Sequence, residues 1–525
     1  MNVRRGGADP RPTDILLIVP PVAKACEPPA GIARLAAALQ ARGLSCRLLD
    51  ANLEALLWLL EQPPVVGDTW TNRAFRHRDD HLAALRDATT YRFPARYRRA
   101  VSDLNRILAV SSLHRGAVVG LSDYRHTSLS PVRSADLIAA ASMPQDNPFH
   151  PYFSRRLSEV LDGVGTVGFS LNFLSQALCT FAMIGYVRSK HPAARIVLGG
   201  GLVTSWMRRP GWRNPFGGLV DALIAGPGED PLAAMLGSGV ALDHHAPPDY
   251  SFLPLREYLS PGLILPYSAA GGCWWNRCTF CPERAEGNDY RPIPTHQALA
   301  DLRLLTESTR PILIHLLDNA ISPALLRALA ENPPGVPWYG FARIDERLAD
   351  PDFCRALKRS GCVLLKLGLE SGDQGVLDRM GKGVDLGTAD RVLSSLQQAG
   401  IAVYCYLLFG TPGETVLAAR RTLEFVVRHR EAIGFLNLAV FTMPLGAAEV
   451  GDYGTAPFFE GDLSLSTDFR HPDGWDRRQV RRFLESEFKR HPAVAAIIRN
   501  DPPQFTSNHA PFMSEGFLRR PCRLA

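Results

Sequence analysis

The sequence predicts an α/β protein: a doubly wound parallel sheet, then a partial barrel of six β/α units, then a small α-rich C-terminal extension. Three observations carry this prediction. Short apolar runs such as 14–20 and 402–409 lack polar alternation, as strands buried on both faces do. These runs alternate with stretches of helical spacing, the pattern of βαβ units. The alternation pauses at 241–261, which holds Pro247, Pro248, Pro254 and Pro261, and then restarts. At 525 residues the chain exceeds one core.

The first domain spans 12–240, with strands expected at 14–20, 45–49, 166–171, 195–198 and 220–225. Helices are expected at 31–41, closed by Gly43, and at 176–190. In such sheets ligands sit outside the carboxyl ends of the strands. Those ends are Pro20-Pro21, Asp50-Ala51-Asn52, Ser170-Leu171-Asn172, Gly199-Gly200-Gly201 and Gly226-Pro227-Gly228-Glu229. Small residues there let a large flat ligand approach the backbone, although each glycine taken alone only makes a tight turn. No Gly-x-Gly-x-x-Gly follows the first strand, which argues against a dinucleotide. An insertion at 53–163 reads as mostly helical and polar, its Arg- and Tyr-rich stretch 91–99 as a solvated face. Within it 123–126 and 147–151 read as loops.

The second domain spans 262–445 after the linker 241–261. Strands are expected at 263–269, 311–317, 338–343, 363–369, 402–409 and 435–443, with helices at 296–305, 322–330, 351–360, 388–399 and 415–428. Barrel active sites collect at the carboxyl ends of strands. Here those ends carry Asp318, Asn319, Arg343, Glu370, Ser371, Thr411 and Glu414. Any one of these fits a helix cap, the plausible caps being Ser322 and Thr415. Together, beside a cysteine loop, they predict a site. The extension, 446–525, contains a polar stretch at 452–468, an Arg-rich amphipathic helix at 476–490 ended by His491-Pro492, and a loop at 508–512. Arg477, Arg478, Arg481 and Arg482 are expected to face solvent, and the extension to close the barrel or cap the substrate.

The composition is ordinary for a soluble protein, with 46% hydrophobic and 21% charged residues and a net charge of +6. Mixed charges argue against nucleic acid as a partner. No apolar run is long enough for a membrane span, and the first residues do not read as a secretory signal. Cys26, Cys46, Cys179, Cys354, Cys362, Cys405 and Cys522 are isolated, which fits a reducing cytoplasm rather than a disulfide framework. Cys46, Cys362 and Cys405 read as core residues, and Cys26 as facing the ligand end of the first sheet.

The remaining three cysteines, Cys273, Cys278 and Cys281, are spaced Cys-x4-Cys-x2-Cys. A loop this tight can turn three thiolates toward one point. Three thiolates suit an iron–sulfur cluster better than structural zinc, which is usually closed by four ligands. A 4Fe–4S cluster on three cysteines leaves one iron open.

With Phe280 just before the third cysteine, this loop resembles that of the radical S-adenosylmethionine (SAM) superfamily, and more narrowly members with an N-terminal cobalamin-binding, Rossmann-like domain. The common spacing is Cys-x3-Cys-x2-Cys; Trp274-Trp275-Asn276-Arg277 adds one residue. Gly368-Leu369-Glu370-Ser371-Gly372, Leu317-Asp318-Asn319 and Gly410-Thr411-Pro412-Gly413-Glu414-Thr415 resemble the family's SAM-contacting strand ends. The resemblance thus implies Phe280, Asp318, Asn319, Arg343, Glu370, Ser371, Gly410 and Thr411 as SAM-binding residues. Pro20-Pro21, Gly31-Ile32-Ala33-Arg34-Leu35, Gly199-Gly200-Gly201 and Gly226-Pro227-Gly228-Glu229 resemble the cobalamin domain. It implies cobalamin contacts from Pro20, Pro21, Ser170, Asn172, Gly199, Gly200, Gly226, Gly228 and Glu229. No Asp-x-His-x-x-Gly lies between Pro20 and Gly31, so no axial ligand is assigned.

The implied activity is SAM cleavage to a 5′-deoxyadenosyl radical. Cobalamin-dependent C-methylation of an unactivated carbon in a natural product, peptide or lipid would follow. An electron donor such as flavodoxin or ferredoxin is implied as a partner. A radical rearrangement, cyclisation or oxidation is the second reading. A non-catalytic iron–sulfur redox or sensor protein is the third. No other catalytic residue is assigned.

Overall fold

A computed structural model describes residues 13–64, 67–240, 245–502 and 509–513. Cys522, Asn508 and the first residues of the expected linker lie outside the described residues. The first domain begins with β1 (Thr13–Val19) and β2 (Cys46–Asp50). Along β1, Ile15, Leu17 and Val19 enter one core and Leu16 and Ile18 the other, so the strand is buried on both faces. Helix Ala30–Gln40 buries Ile32, Ala33, Ala36 and Leu39 on the first of these faces. Asp50 caps the next helix, Ala51–Leu60, by accepting from Leu53 N at 3.0 Å.

The insertion covers the sheet; within 91–99 Arg92, Arg96 and Arg99 are exposed, as expected, while Tyr91 and Tyr97 are buried. Helices Thr69–Arg76, Arg78–Arg86, Pro94–Ser112, Ser134–Ser142 and His150–Val160 carry residues of the core on the second face of the sheet. Tyr97, Leu104 and Leu108 are fully buried there, because these helices present apolar residues at helical spacing beneath their arginines. The stretch 123–126 is a hairpin arm rather than a loop: β3 (Ala117–Val119) pairs antiparallel with β4 (Tyr124–His126). Residues 147–151 lead straight into helix His150–Val160; the Asn147 side chain accepts from Phe149 N at 3.0 Å.

Then come β5 (Val164–Ser170), β6 (Arg195–Gly199) and β7 (Ala222–Leu223). The sheet order is β2-β1-β5-β6-β7, all parallel, as a doubly wound sheet requires. The last strand is shorter than the expected 220–225. It ends as the chain turns away at Gly226, whose φ is +75°.

The second domain contains β8 (Ile264–Tyr267), β9 (Ala270–Gly271), β10 (Arg291–Pro292), β11 (Leu313–Leu316), β12 (Trp338–Ala342), β13 (Cys362–Glu370), β14 (Ala402–Phe409) and β15 (Phe435–Val440). Six of these form one sheet of order β15-β14-β13-β12-β11-β8, parallel throughout. Side chains alternate across it. Leu365, Leu367 and Leu369 enter the core shared with the surrounding helices, while Tyr339, Leu364 and Tyr404 join a separate cluster on the inner face. That inner cluster is completed by Ala510 of the extension.

The linker is pinned rather than loose. The hydroxyl of Tyr250 donates to the Pro266 carbonyl, Tyr258 donates to Asp50 at 2.7 Å, and His245 meets Asp301 at 2.9 Å.

The extension is less helical than expected. It opens with an antiparallel sheet of β16 (Met443–Pro444), β17 (Thr455–Pro457) and β18 (Ser466–Phe469), in the order β16-β18-β17. Helix Arg477–Phe483, a π-helical turn and helix Pro492–Asn500 follow. Arg478, Arg481 and Arg482 are exposed, but Arg477 turns inward. It donates to Phe441 O at 2.6 Å and lies 4.3 Å from the Phe458 ring.

Candidate active site

The cysteine loop is an excursion between β9 and β10, which pair antiparallel at Gly271 and Arg291. Gly272 is needed where it stands: its φ is +70°, and a Cβ there would lie 2.3 Å from the Asp289 carbonyl oxygen. Cys273, Cys278 and Cys281 are all half-buried free thiols. Among the described residues no three His, Cys, Asp or Glu side chains form a closed metal-holding group. Burial pushes the Cys278 thiol up, opposed by the charges of Lys382 and Arg343. Burial pushes Cys281 up to about 11.

Two aromatic residues of the loop have different places. Trp275 packs against the barrel end: its indole donates to Gly381 O at 3.2 Å and the Arg343 guanidinium stacks on it at 3.6 Å. A Cβ on Gly383 would collide with that indole at 2.3 Å. Trp274 instead lines a cavity with Ala269, Tyr290 and Asp318, and its buried indole nitrogen has no hydrogen-bond partner. Thr279 N donates to Met380 O at 2.9 Å, so the loop is tied to the 380–383 turn at a second point.

The strand ends supply the surroundings. Arg343 also donates to Lys382 O and, at 2.7 Å, to Gly383 O. Glu370 adopts a left-handed backbone, φ +68°, at a register shift between Gly368 and Glu370, and its carboxylate pairs with Lys382 at 2.7 Å. The Lys382 ammonium lies 5.5 Å from the Phe280 ring. Asp318 is buried, accepts from Ala269 N at 3.1 Å, and is pushed up to about 6 by burial. Asn319 donates to Gly272 O at 3.3 Å and so braces the loop. Ser371 does not face the bore. It is fully buried, meets Thr422 Oγ1 at 3.1 Å and accepts from Asp373 N, because the strand has already turned toward helix Val416–Arg428.

Phe280 and Thr411 meet across a cleft with Thr279, Met380, Gly413, Phe441 and Tyr453. Gly410, at φ +82°, donates to Glu414 at 2.5 Å. Thr411 Oγ1 is buried without a partner, while its carbonyl accepts from His471 Nε2 at 2.8 Å. Trp475 donates to Glu414 at 2.9 Å. His471 and Trp475 thus fasten the extension onto this turn.

At the carboxyl end of the first sheet, Ser170, Asn172, Gly199, Gly200, Gly226, Gly228 and Glu229 line one open cleft. Its other walls include Leu17, Gly31, Arg34, Phe169 and Val197. Gly200 has φ +110°, and a Cβ there would lie 2.4 Å from the Leu171 carbonyl oxygen. Asn172 ties two strand ends by accepting from Gly201 N at 2.9 Å and donating to Ser170. Arg34 pairs with Glu229 at the rim. Pro20 and Pro21 do not line this cleft; both are buried, and the Pro20 carbonyl accepts from Gln176 at 2.8 Å. Cys26 also lies elsewhere, buried beside Glu27 and Lys24, and burial pushes its thiol up to about 12.

Sequence reasoning missed Lys382, His471 and Trp475 as parts of the site. Lys382 carried a signal, since it lies between Gly381 and Gly383, both at φ +60°. His471 and Trp475 carried none, being distant in sequence from every motif.

Residues 267–426 match the radical SAM superfamily. Bacteriochlorophyllide d C-12(1)-methyltransferase of Chlorobaculum tepidum is 25% identical over 247 residues, 45% of this chain and 50% of that protein. An uncharacterised methyltransferase of Pyrococcus horikoshii is 23% identical over 191 residues, 34% of this chain and 40% of that protein. The chain therefore spans about half the length, or less, of these curated relatives. The radical S-adenosylmethionine methyltransferase TsrM of Kitasatospora setae, solved with tryptophan substrate and a SAM analogue, shares the fold at a TM-score of 0.53. That likeness covers 93% of this chain and 89% of TsrM at 15% identity. The matched residues 267–426 carry the cysteine loop near one end and the Gly410 turn near the other.

Proposed function

We propose that this chain is a cobalamin-dependent radical SAM methyltransferase acting on an unactivated carbon of a natural product, peptide or lipid, with flavodoxin or ferredoxin as electron donor. One observation carries the reading: Lys382, Arg343 and Glu370, from separate parts of the barrel end, all act on the half-buried Cys278 of a matched radical SAM domain. Two cations beside half-buried thiols suit an anionic iron–sulfur centre on Cys273, Cys278 and Cys281. The cleft between Phe280 and Thr411, with its unpartnered buried hydroxyl, suits a polar nucleoside such as SAM. The glycine-walled cleft of the first sheet, closed to a Cβ at Gly200, suits a corrinoid lying against backbone. None of its lining residues is a histidine or cysteine, in keeping with a corrinoid held without a protein axial ligand.

When bound, these groups supply a 5′-deoxyadenosyl radical for hydrogen abstraction and a methyl donor. The chain supplies position. Trp275, clamped under Arg343, and Thr279, tied to Met380, fix the cysteine loop on the barrel. His471 and Trp475 hold the extension over the Gly410 turn and limit water there.

Anaerobic reconstitution tests the reading. Bound cobalamin in the visible spectrum, with 5′-deoxyadenosine and S-adenosylhomocysteine both formed, is the expected result. Deoxyadenosine without adenosylhomocysteine would exclude methyl transfer.

A further inference from the structure

One buried cation of the barrel end is matched by no carboxylate. Arg343 follows β12 directly, is 8% exposed, and lies where the cysteine loop meets the 380–383 turn. Its guanidinium lies 3.6 Å from the Trp275 ring centre and donates to Lys382 O and, at 2.7 Å, to Gly383 O. A ring face and two carbonyls solvate a guanidinium without neutralising it. Burial of a charge in that state is costly unless an anion faces it. Among the described residues Arg343 forms no ion pair with a carboxylate: Asp345, which acts on it, is paired with Arg347 at 2.8 Å.

The anions that face Arg343 are sulfurs. Burial disfavours its charge, and what opposes burial is first Cys278, then Cys273, and only third Asp345. The Arg343 side chain also reaches that of Cys278. On Cys278 itself Lys382 acts more strongly than Arg343. Lys382, however, brings Glu370 with it, paired at 2.7 Å, and Glu370 acts on Cys278 in the opposite sense. Arg343 brings no such partner.

The place of this cation is fixed by the loop. Trp275 is held by its own bond to Gly381 O at 3.2 Å, and the bare backbone of Gly383 leaves room for the indole. Trp275 is one of four residues between Cys273 and Cys278, where the common spacing has three. The longer loop thus carries the platform on which the guanidinium rests. A second cation, Arg277, lies farther from the same ring, at 5.0 Å, and is exposed to water.

We propose that Arg343 is the fixed counter-charge of the iron–sulfur centre on Cys273, Cys278 and Cys281, and that it raises the potential of that centre rather than contacting SAM. This rests on the centre proposed above and adds what tunes it. One-electron reduction puts a further negative charge on the centre; the electron comes from the flavodoxin or ferredoxin donor, and no bond changes. A cation held beside the ligating sulfurs stabilises the reduced form more than the oxidised one. An arginine keeps its charge throughout the working pH range.

The test is an electrode-controlled redox titration of the reconstituted full chain without SAM, read by visible absorbance and electron paramagnetic resonance. Arg343→Met should lower the midpoint potential by at least about 59 mV, a tenfold change in the one-electron equilibrium. Arg343→Gln, neutral but still a hydrogen-bond donor, should do the same, and Arg343→Lys should keep most of the parent's potential. A residue that only contacts SAM would leave the SAM-free potential where it was. An unchanged potential in either neutral variant, or a fall as large in Arg343→Lys as in Arg343→Met, would therefore overturn the proposal. Loss of cluster uptake in all three variants would overturn it too, since packing rather than charge would then be what Arg343 supplies. Uptake by Arg343→Lys alone would support it. SAM cleavage by the unaltered chain separates the two readings. Cleavage with a potential indifferent to Arg343 removes only this inference, and an Arg343-dependent potential without cleavage removes only the methyltransferase reading. An unaltered chain that takes up no cluster removes both.

Discussion

Replacing Glu414 by glutamine should stabilise the protein, by an amount that grows with pH. Glu414 is fully buried; one carboxylate oxygen accepts from Gly410 N and Trp475 Nε1, and the other has no partner. Burial, only partly offset by those two donors, raises its carboxyl from 4.5 to about 7. Unfolded, the group ionises near 4.5; folded, it keeps its proton to about 7. Between these values the folded state holds a proton that the unfolded state has released, so stability falls as pH rises through the window. Below it the group contributes nothing to the pH dependence, and above it the loss is complete. The difference corresponds to about 3 kcal/mol. Glutamine is neutral throughout, and its carbonyl oxygen can still accept from Gly410 and Trp475. Scanning calorimetry of both proteins at about pH 5, 6.5 and 8 should show a gap that widens by about 6–12 °C, if the barrel and extension unfold as a unit of about 150–250 residues. A gap independent of pH would refute the argument. So would a variant less stable than the parent at the highest pH.

Cys278→Ala should remove both the cluster absorbance and SAM cleavage after reconstitution; cleavage that persists would sink the assignment of the loop. Gly200→Ala places a Cβ 2.4 Å from the Leu171 carbonyl at a backbone angle that favours glycine. It should cost about 2–3 kcal/mol and abolish cobalamin retention through gel filtration, whereas full retention would show that the cleft is not the corrinoid site. Trp475→Ala empties a site only 5% exposed and removes the donor to Glu414. A loss of about 3–5 kcal/mol is expected, read as early proteolysis of the extension at a temperature where the parent resists. Unchanged proteolysis would mean that Trp475 does not hold the extension.

The sequence by itself determined the two parallel sheets, the position of the cysteine loop and the glycine-walled cleft. Each of these is written in local pattern. Continuous apolar runs announce strands buried on both faces, tight cysteine spacing announces shared ligation, and glycines announce backbone that no side chain may approach. Expectations that failed were those in which a local pattern has two tertiary outcomes. The stretch 123–126 reads as a loop by itself and became a hairpin arm only because Tyr124 pairs with Val119 across the turn. Pro20 and Pro21 end a strand, yet which side of that end borders the cleft depends on Gln176 drawing the Pro20 carbonyl inward. Ser371 follows a site residue in sequence, but the turn after β13 commits it to Thr422. Tertiary structure alone decided the groups assembled from distant segments: Lys382 on Glu370, Trp475 on Glu414, and Glu27 on His315. The last two pairs are separated by 61 and 288 residues, and no local periodicity encodes a contact across such a distance. It forms only when the packing of whole elements brings the side chains together.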